Sequence, residues 1–438
     1  MKRWHTAFWL LCFTFCFVTT GWPAGAKLTL NEAVEETLKN NPSIRAYEER
    51  VARANLNIKI AKTLRWGELL GNAAVHRSED RLLVSPITPK KVRNGMPFEK
   101  NRYGYGVIYE LPIYLGGKIP LSVDISRLSE LSAGLALKRL RAVIRHRVTE
   151  LYHNILSMEG EQKAVEENIK ALNVLLKHTE LAIKHGKKPP VDRYKITYSL
   201  RRWQAIRDKI VNQRVSMIVA LQTLMGRGNV DASLSLEPVE IPRKVQPLQQ
   251  DLQRLYTMAL AKRSDLQAAR KKVEIAEKKV GLARADRMPN IFAVGSFQGY
   301  DAPHVNFDEE WDASLQLRIP IFDAGRRRKK VEAAKVGVLE ERMHVYELQQ
   351  KIIREVGDAV ARVRTAESFV KSYESRVQLE KEVDRVETLK YEKGAGDIDD
   401  MLRAKAELAY SRSKWVESMF QWLNAKSYLS MVLEEEVK

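Results

Sequence analysis

Side chains that could do catalytic or metal chemistry are few in this sequence, and their spacing supports neither role. The two cysteines, Cys12 and Cys16, both lie close to the amino terminus. No motif places a nucleophile beside a base. Some histidines recur at seven-residue intervals, but without the carboxylate arrangement of a zinc site. We therefore expect neither an enzyme nor a metal centre. The histidine pairs with this spacing are His146 with His153, and His178 with His185.

Glycines that could cradle a phosphate occur at Gly104-Tyr-Gly106 and at Gly116-Gly-Lys118. A nucleotide site needs further glycines, or a lysine and a hydroxyl, at fixed spacing beside a helix start, and both places lack them. The sequence therefore predicts no nucleotide, and it indicates no other cofactor.

Residues 1–26 have the features of a secretory signal peptide. Lys2 and Arg3 supply the charged region, Ala7 to Val18 the apolar core, and Ala24-Gly-Ala26 a small-x-small cleavage site. We expect the mature chain to begin at Lys27. Both cysteines fall within the signal, so the mature chain is predicted to have no thiol and no disulfide.

Composition predicts a large folded protein, with 438 residues of which 45% are hydrophobic and 29% charged. The formal net charge of +19 indicates either a solvated basic surface or attraction to acidic lipid phosphates or an acidic partner. Nucleic acid is a poor fit to an exported chain. Apart from the signal, no run of 18 apolar residues predicts a membrane helix, so the chain is expected in the periplasm or in an outer-membrane β-barrel.

Two segments with a period of two stand 208 residues apart. From Trp311 to Phe322, apolar side chains alternate with polar ones, which is typical of a strand with one apolar and one polar face. The segment from Tyr103 to Ile113 alternates in the same way, and both segments end in a Pro-Ile-aromatic sequence before a glycine. The chain is therefore an internal duplication in which each copy carries a membrane-type strand.

Each copy is predicted to run helix, strand, strand and long helical hairpin. Leucine, valine and isoleucine recur at three- and four-residue intervals, and the hairpins turn at Gly186 and at Gly394 and Gly396. A longer polar loop around 78–100 in the first copy is predicted to be an exposed extracellular connection. The predicted boundaries are a first repeat at 27–225 (strands at about 68–77 and 102–114, hairpin at 120–225), a linker at 226–247, and a second repeat at 248–438 (strands at about 290–299 and 309–322, hairpin at 324–433).

Four membrane strands cannot close a barrel, because about eight is the practical minimum. Open strand edges in lipid leave backbone groups unsatisfied at prohibitive cost. The barrel is therefore expected to be shared between chains, with eight strands from two chains or twelve from three. The helices, each roughly 100 Å long at 1.5 Å per residue, are expected to pack as a bundle or cylinder. A barrel continued by a cylinder of such helices is typical of a conduit rather than of an active site.

Three features together resemble the TolC family of outer-membrane efflux proteins. They are the opening segment from Leu30 to Pro42, the two Pro-Ile-aromatic strand exits, and the hairpin from Gly394 to Leu408. The resemblance covers nearly the whole mature chain, in order and in both copies. It implies a mainly α fold with a membrane β-barrel contribution, in which a homotrimer forms a 12-stranded β-barrel continued by a 12-helix α-barrel.

The same resemblance implies a function. The chain would be the exit duct of a tripartite efflux or type I secretion system in the outer membrane of a Gram-negative-type cell, with its helical part in the periplasm. Its partners would be a periplasmic adaptor, an inner-membrane pump and outer-membrane lipid. The cargo, whether drug, metal ion or polypeptide, does not follow from the sequence.

In that family, acidic residues just past the glycine turns narrow the periplasmic mouth, and the resemblance places Asp192 and Asp400 there. It also matches Tyr391 to a tyrosine that ties the closed mouth by a hydrogen bond to the acidic residue of the first copy, here Asp192. Two positions depart from the family pattern, because a second acidic position is Arg403 and a basic tie position is Gly396. An aspartate near a helix start also satisfies backbone donors, which is the alternative role for both aspartates.

Candidate barrel residues come from equivalent places in the two copies. Tyr103 and Trp311 are predicted either to join an aromatic girdle at the membrane interface or to pack as ordinary strand residues. Glu110 and Arg318 are expected to face the lumen, because a charge facing lipid costs about 2–4 kcal/mol at mid-depth. The basic run at 326–330 is either a contact for lipid phosphates or a solvated charge run.

Two other classes of protein use long helical hairpins, namely periplasmic adaptors and structural coiled-coil spacers. An adaptor would carry one hairpin flanked by soluble β-domains, rather than two copies with lipid-patterned strands. A need for detergent to extract the protein from outer membranes distinguishes the duct from both.

Overall fold

The computed structural model describes residues 27–240, 242 and 245–435. The predicted signal peptide lies outside these residues. Within them, each half of the chain runs helix, helix, strand, strand and long helical hairpin, and the first half adds a short helix between its strands. The first half contains α1 Leu30–Asn40, α2 Pro42–Thr63, β1 Glu68–Leu83, α3 Pro89–Asn94, β2 Phe98–Tyr114, α4 Lys118–Lys184 and α5 Val191–Leu224. The second half contains α6 Leu252–Lys262, α7 Ser264–Ala285, β3 Asn290–Ala302, β4 Val305–Arg318, α8 Arg326–Glu392 and α9 Ile398–Leu433.

Helices α4 and α8 have 67 residues each and are therefore about 100 Å long. Each begins after a glycine in the left-handed region, Gly117 at φ 86° and Gly325 at φ 81°. Pro120 lies in the first turn of α4, where its missing N–H removes no helical hydrogen bond. The helices begin within two residues of the predicted hairpin starts at 120 and 324.

The four strands form one antiparallel sheet in the order β1-β2-β3-β4. Val75 on β1 pairs with Tyr103 on β2, and Phe297 on β3 pairs with Trp311 on β4. These are equivalent pairs, since the first strands of the two copies are offset by 222 residues and the second strands by 208. The β1–β2 hairpin and the β3–β4 hairpin therefore pair their strands in the same register. The outer edges of β1 and β4 have no strand neighbour within the described part of the chain.

Strand boundaries differ from those predicted. Strand β1 reaches Leu83 and β2 begins at Phe98, because the ladder slips between Arg77 and Leu82 and then resumes. Strand β4 spans 305–318 rather than 309–322. The prediction of strand at 319–322 was wrong, since Pro320 has no N–H to donate to a ladder. The predicted loop at 78–100 contains strand residues at both ends and helix α3 between them.

One face of the sheet exposes large apolar side chains across all four strands. Leu69 and Val75 on β1 are 66% and 76% exposed, and Trp311 and Leu315 on β4 are each 74% exposed. Tyrosines Tyr103, Tyr105 and Tyr109 of β2 also belong to this face. An apolar surface of this extent requires a covering of lipid or protein.

The core lies where the two hairpins meet and where short helices pack on them. Helix α9 contacts both α4 and α8, so it joins the first hairpin to the second. Val148, Tyr152 and Ile155 of α4 pack with Leu28, whose carbonyl accepts a 2.8 Å hydrogen bond from the Tyr152 hydroxyl. The predicted linker contributes Leu236, which forms a parallel bridge with Leu28. In the part of the chain that the structure covers, no helix has both the length and the apolar character needed to cross a bilayer.

Candidate functional site at the hairpin tips

The candidate site is the group of helix ends where the two hairpins turn. Gly186 at φ 67° and Gly394 at φ 73° follow α4 and α8 in the left-handed region, which a residue with a Cβ rarely adopts. Pro190 precedes α5, and the Asp397 carboxylate accepts a hydrogen bond from the Asp399 N–H at the start of α9. These local signals form the two turns, and packing between the hairpins then places the end of α8 beside the start of α5.

Tyr391 and Asp192 meet at the centre of this site. The Tyr391 hydroxyl donates a 2.9 Å hydrogen bond to Oδ2 of Asp192. Both side chains are buried, at 5% and 4% exposure, and Tyr391 packs with Ile196, Ile398 and Met401. Burial and the Asp192 carboxylate raise the pKa of Tyr391 to about 12. The phenol therefore stays a neutral donor throughout the physiological pH range, and it joins the two hairpins.

Two lysines of the first hairpin make further contacts with the second. Nζ of Lys188 lies 3.0 Å from the Tyr391 carbonyl oxygen and 3.5 Å from the centre of the Tyr391 ring. Nζ of Lys195 lies 2.6 Å from Oδ2 of Asp399, an exposed pair that raises the pKa of Lys195. Sequence reasoning missed both lysines. The available signal was the repeat, since Lys188 lies 208 residues before Gly396.

The remaining predicted gate residues lie apart from the Tyr391–Asp192 contact. Asp400 and Arg403 are exposed, and their closest charged atoms are 3.9 Å apart along α9. Gly396 lies close against the end of α8, and a Cβ built there would come within 2.8 Å of the Lys390 Cβ. The acidic charge of Asp400 is thus offset within its own helix.

Among the barrel candidates, Glu110 and Arg318 lie on the same face of the sheet. Their closest charged atoms are 3.5 Å apart, and the Arg318 guanidinium also lies 4.6 Å from the centre of the Phe292 ring. Tyr103 pairs with Asp301 of β3, whereas Trp311 pairs with Phe297, four residues away along that strand. Whether Glu110 and Arg318 line a lumen, and whether the aromatics form a girdle, stay predictions.

Carboxylates accompany most of the basic run that opens α8. Four of its five cations pair with acidic side chains at 2.7 to 3.7 Å. These pairs reduce the net charge available to lipid phosphates, and the lipid contact stays a prediction. The pairs are Arg327 with Asp323, Arg328 and Lys329 with Glu332, and Lys330 with Asp286.

Two histidines of α4, His146 and His153, face α9. Nδ1 of His146 lies 2.9 Å from the Ser427 hydroxyl, and Nδ1 of His153 lies 2.8 Å from the side-chain oxygen Oδ1 of Asn424. Burial lowers the pKa of both histidines. They thus form a neutral polar seam between the hairpins. No group of three or more histidine, aspartate or glutamate side chains in the described residues is arranged to hold a metal ion.

The sequence of the chain is similar to a protein family and to two known outer-membrane proteins. Residues 255–433 match the family model described as outer membrane efflux protein. The chain is 23% identical over 424 residues to multidrug resistance outer membrane protein MdtQ of Escherichia coli O157:H7, covering 92% of this chain and 85% of the relative. It is also 23% identical over 386 residues to outer membrane protein OprJ of Pseudomonas aeruginosa, covering 85% and 76% of the two chains.

Solved structures share the fold. The outer membrane protein VceC from Vibrio cholerae matches with a TM-score of 0.76 at 18% identity, over 93% of this chain and 97% of that one. The Campylobacter jejuni CmeC outer membrane channel matches with a TM-score of 0.74 at 15% identity, over 93% and 87%. The predicted fold class, mainly α with a membrane β-barrel contribution, is therefore confirmed.

Proposed function

The chain belongs to the outer membrane efflux protein family, and from this premise we propose that it is the exit duct of an efflux or secretion system. Members of this family are channels rather than enzymes. The proposed location of the sheet is the outer membrane, with the helical hairpins in the periplasm.

The observation that carries this proposal is the four-stranded sheet with two open edges and an exposed apolar face. Leu69, Val75, Trp311 and Leu315 expose 66% or more of their surface on that face. In lipid such edges are tolerated only if other strands pair with them. Three copies joined through β1 and β4 would form a 12-stranded barrel, wide enough for a lumen. The rival roles of adaptor and coiled-coil spacer offer no use for this sheet.

Transport through such a duct is passive, because the sequence supplies no nucleotide fingerprint with which to drive it. Energy would come from an inner-membrane pump joined to the duct by a periplasmic adaptor. MdtQ is named for multidrug resistance, and small organic drugs are accordingly the first cargo to test for this chain. The hairpin tips, where Lys184 is exposed, are the part of the chain that an adaptor would reach.

We place the periplasmic gate at the contact between Tyr391 and Asp192. This contact ties the end of α8 in the second hairpin to the start of α5 in the first. Separation of the hairpins would break it, so its strength opposes opening. Asp400 and Arg403, exposed on α9, would set the charge at the mouth.

Reconstitution tests the function directly. The purified protein, extracted from outer membranes with detergent, is added to planar lipid bilayers and its single-particle conductance is recorded. The proposal predicts discrete conductance steps from a three-chain particle. A protein that leaves the cell envelope without detergent and conducts no ions would refute it. Accumulation of a fluorescent drug in a deletion strain, with and without the restored gene, then tests the cargo class.

A further inference from the structure

We propose that the basic tie of the closed mouth lies on the first hairpin in this chain, at Lys188, where it holds the end of α8 through Tyr391. This inference rests on the proposed function, because it assumes that the tips form a gate. It assigns a positioning role to a lysine that the family resemblance does not mark.

The repeat explains why this lysine is in place. Lys188 in the first copy is the counterpart of Gly396 in the second copy, because the two positions lie 208 residues apart. The resemblance described above implies a basic residue at the second of these positions, where this chain has glycine. The turns of the two hairpins have the same offset, because Gly186 and Gly394 are also 208 residues apart and both have a positive φ. Of these two equivalent positions, the one in the first copy therefore carries the cation, and the one in the second copy carries glycine.

The backbone around Gly396 leaves no room for a basic side chain there. A Cβ at this position would lie 2.8 Å from the Lys390 Cβ and 3.2 Å from the Tyr391 nitrogen. Contacts below 3.0 Å with a neighbouring backbone-proximal atom force a shift of the chain. A basic side chain at 396 would therefore displace the end of α8, whereas Lys188 reaches the same helix end from the first hairpin without such a contact.

Lys188 supplies that cation through two kinds of contact. Its ammonium donates to the Tyr391 carbonyl at 3.0 Å, where the last carbonyls of α8 carry the negative end of the helix dipole. It also lies 3.5 Å from the centre of the Tyr391 ring, which is within cation–π range. The side chain is half-buried, so water screens these contacts only in part.

Tyr391 therefore engages the first hairpin through two separate sets of atoms. Its hydroxyl binds Asp192, whereas its ring and carbonyl bind Lys188. A substitution that removes only the hydroxyl leaves the lysine contacts intact. A substitution that removes the ring removes the cation–π contact as well as the hydrogen bond.

The first experiment compares Lys188→Met with Lys187→Met in planar bilayers. Methionine keeps an unbranched apolar stem that is one heavy atom shorter than lysine, and it loses the charge. Lys187 is exposed beside it and serves as the matched control. We expect the open-to-closed ratio of Lys188→Met to rise about five-fold over the wild type. Lys187→Met should conduct like the wild type, and a wild-type ratio in Lys188→Met would overturn the inference.

A double-mutant cycle then separates a tie from a general loss of structure. Lys188→Met should add to Tyr391→Phe, because the two changes remove different contacts, and it should have a reduced effect in Tyr391→Leu, which has no ring. Equal effects of Lys188→Met in both backgrounds would refute the ring contact. If Tyr391→Phe opens the channel and Lys188→Met does not, the proposed gate at Tyr391 and Asp192 is supported and the role of Lys188 is refuted. If none of the proteins conducts, the proposed function itself fails.

Discussion

The hydroxyl of Tyr391 donates a 2.9 Å hydrogen bond to the carboxylate of Asp192, across a separation of 199 residues in sequence. This bond links the last turn of α8 to the first turn of α5, and so it links the second hairpin to the first. Both side chains are buried, so removing either partner leaves the other without its bond in a poorly hydrated place.

Removal of the hydroxyl by Tyr391→Phe should therefore favour the open mouth. A buried hydrogen bond to a charged acceptor contributes about 1.5–3 kcal/mol, which corresponds to at least a ten-fold rise in the open-to-closed ratio. Single-trimer conductance in planar bilayers measures this ratio. Asp192→Ala should act in the same direction. The control is Tyr198→Phe, since Tyr198 is 70% exposed on α5, and unchanged conductance in Tyr391→Phe would contradict the gate.

Gly396→Ala should open the mouth in spite of its small size. Its methyl group would press on Lys390 and displace the end of α8, on which Tyr391 sits. Gly337→Ala, on α8, is the matched control, because nothing lies within 4 Å of the added carbon. That control should be neutral or stabilise α8 by up to about 1 kcal/mol. The measurement is the leak current through each variant in planar bilayers. We expect a larger current in Gly396→Ala than in Gly337→Ala, and equal currents would argue against crowding at Gly396.

Acidification should weaken the seam between α4 and α9. Burial lowers the pKa of His146 and His153 below their ordinary value of 6.5, although Glu150 partly opposes this for His146. The folded protein then binds fewer protons than the unfolded chain. The stability contribution is complete above pH 6.5 and is lost as pH falls below it.

Thermal unfolding in detergent at pH 7.5 and pH 5.5 measures this loss. We expect the midpoint to fall by about 2–4 °C at the lower pH. His153→Gln, which keeps a polar partner for Asn424 but does not titrate, should reduce the difference. His344→Gln, at an exposed position on α8, should leave it intact. An identical pH response in all three proteins would exclude the histidine seam as its cause.

Arg263 should be far more sensitive to substitution than a surface arginine. Its side chain is only 2% exposed, and it pairs with Asp265 and Glu355, which it joins across the start of α7 and the middle of α8. Arg263→Leu leaves both carboxylates without this partner, at a cost of about 3–5 kcal/mol. Arg207→Leu removes an exposed pair and should cost at most about 1 kcal/mol. Thermal midpoints of the two variants check this, and a small shift in Arg263→Leu would contradict it.

The sequence predicted the fold well where it repeats. Val75 pairs with Tyr103, as Phe297 does with Trp311, because alternation and offset together constrain register. The end of β4 was placed too late, since alternation continues past Arg318 while the proline at 320 interrupts the ladder. Helix α3 was missed, although Thr88 before Pro89 is a helix-start signal.

The tip site could be predicted only in part. Resemblance supplied Tyr391 and Asp192, whose contact joins segments 199 residues apart and leaves no local signature. Lys188 stands in a turn with other lysines, so its type and exposure pattern suggest solvation. Its contact depends on where the end of α8 comes to rest, which tertiary packing decides.

The most direct measurement is the mass of the conducting particle. Native mass spectrometry of the detergent-extracted protein, on the same preparation that is recorded in planar bilayers, counts the chains in the sealed ring. We predict three chains per particle and stepwise ion conductance in lipid. A single-chain particle that stays in solution without detergent and leaves lipid vesicles impermeable would contradict a barrel completed by sister copies.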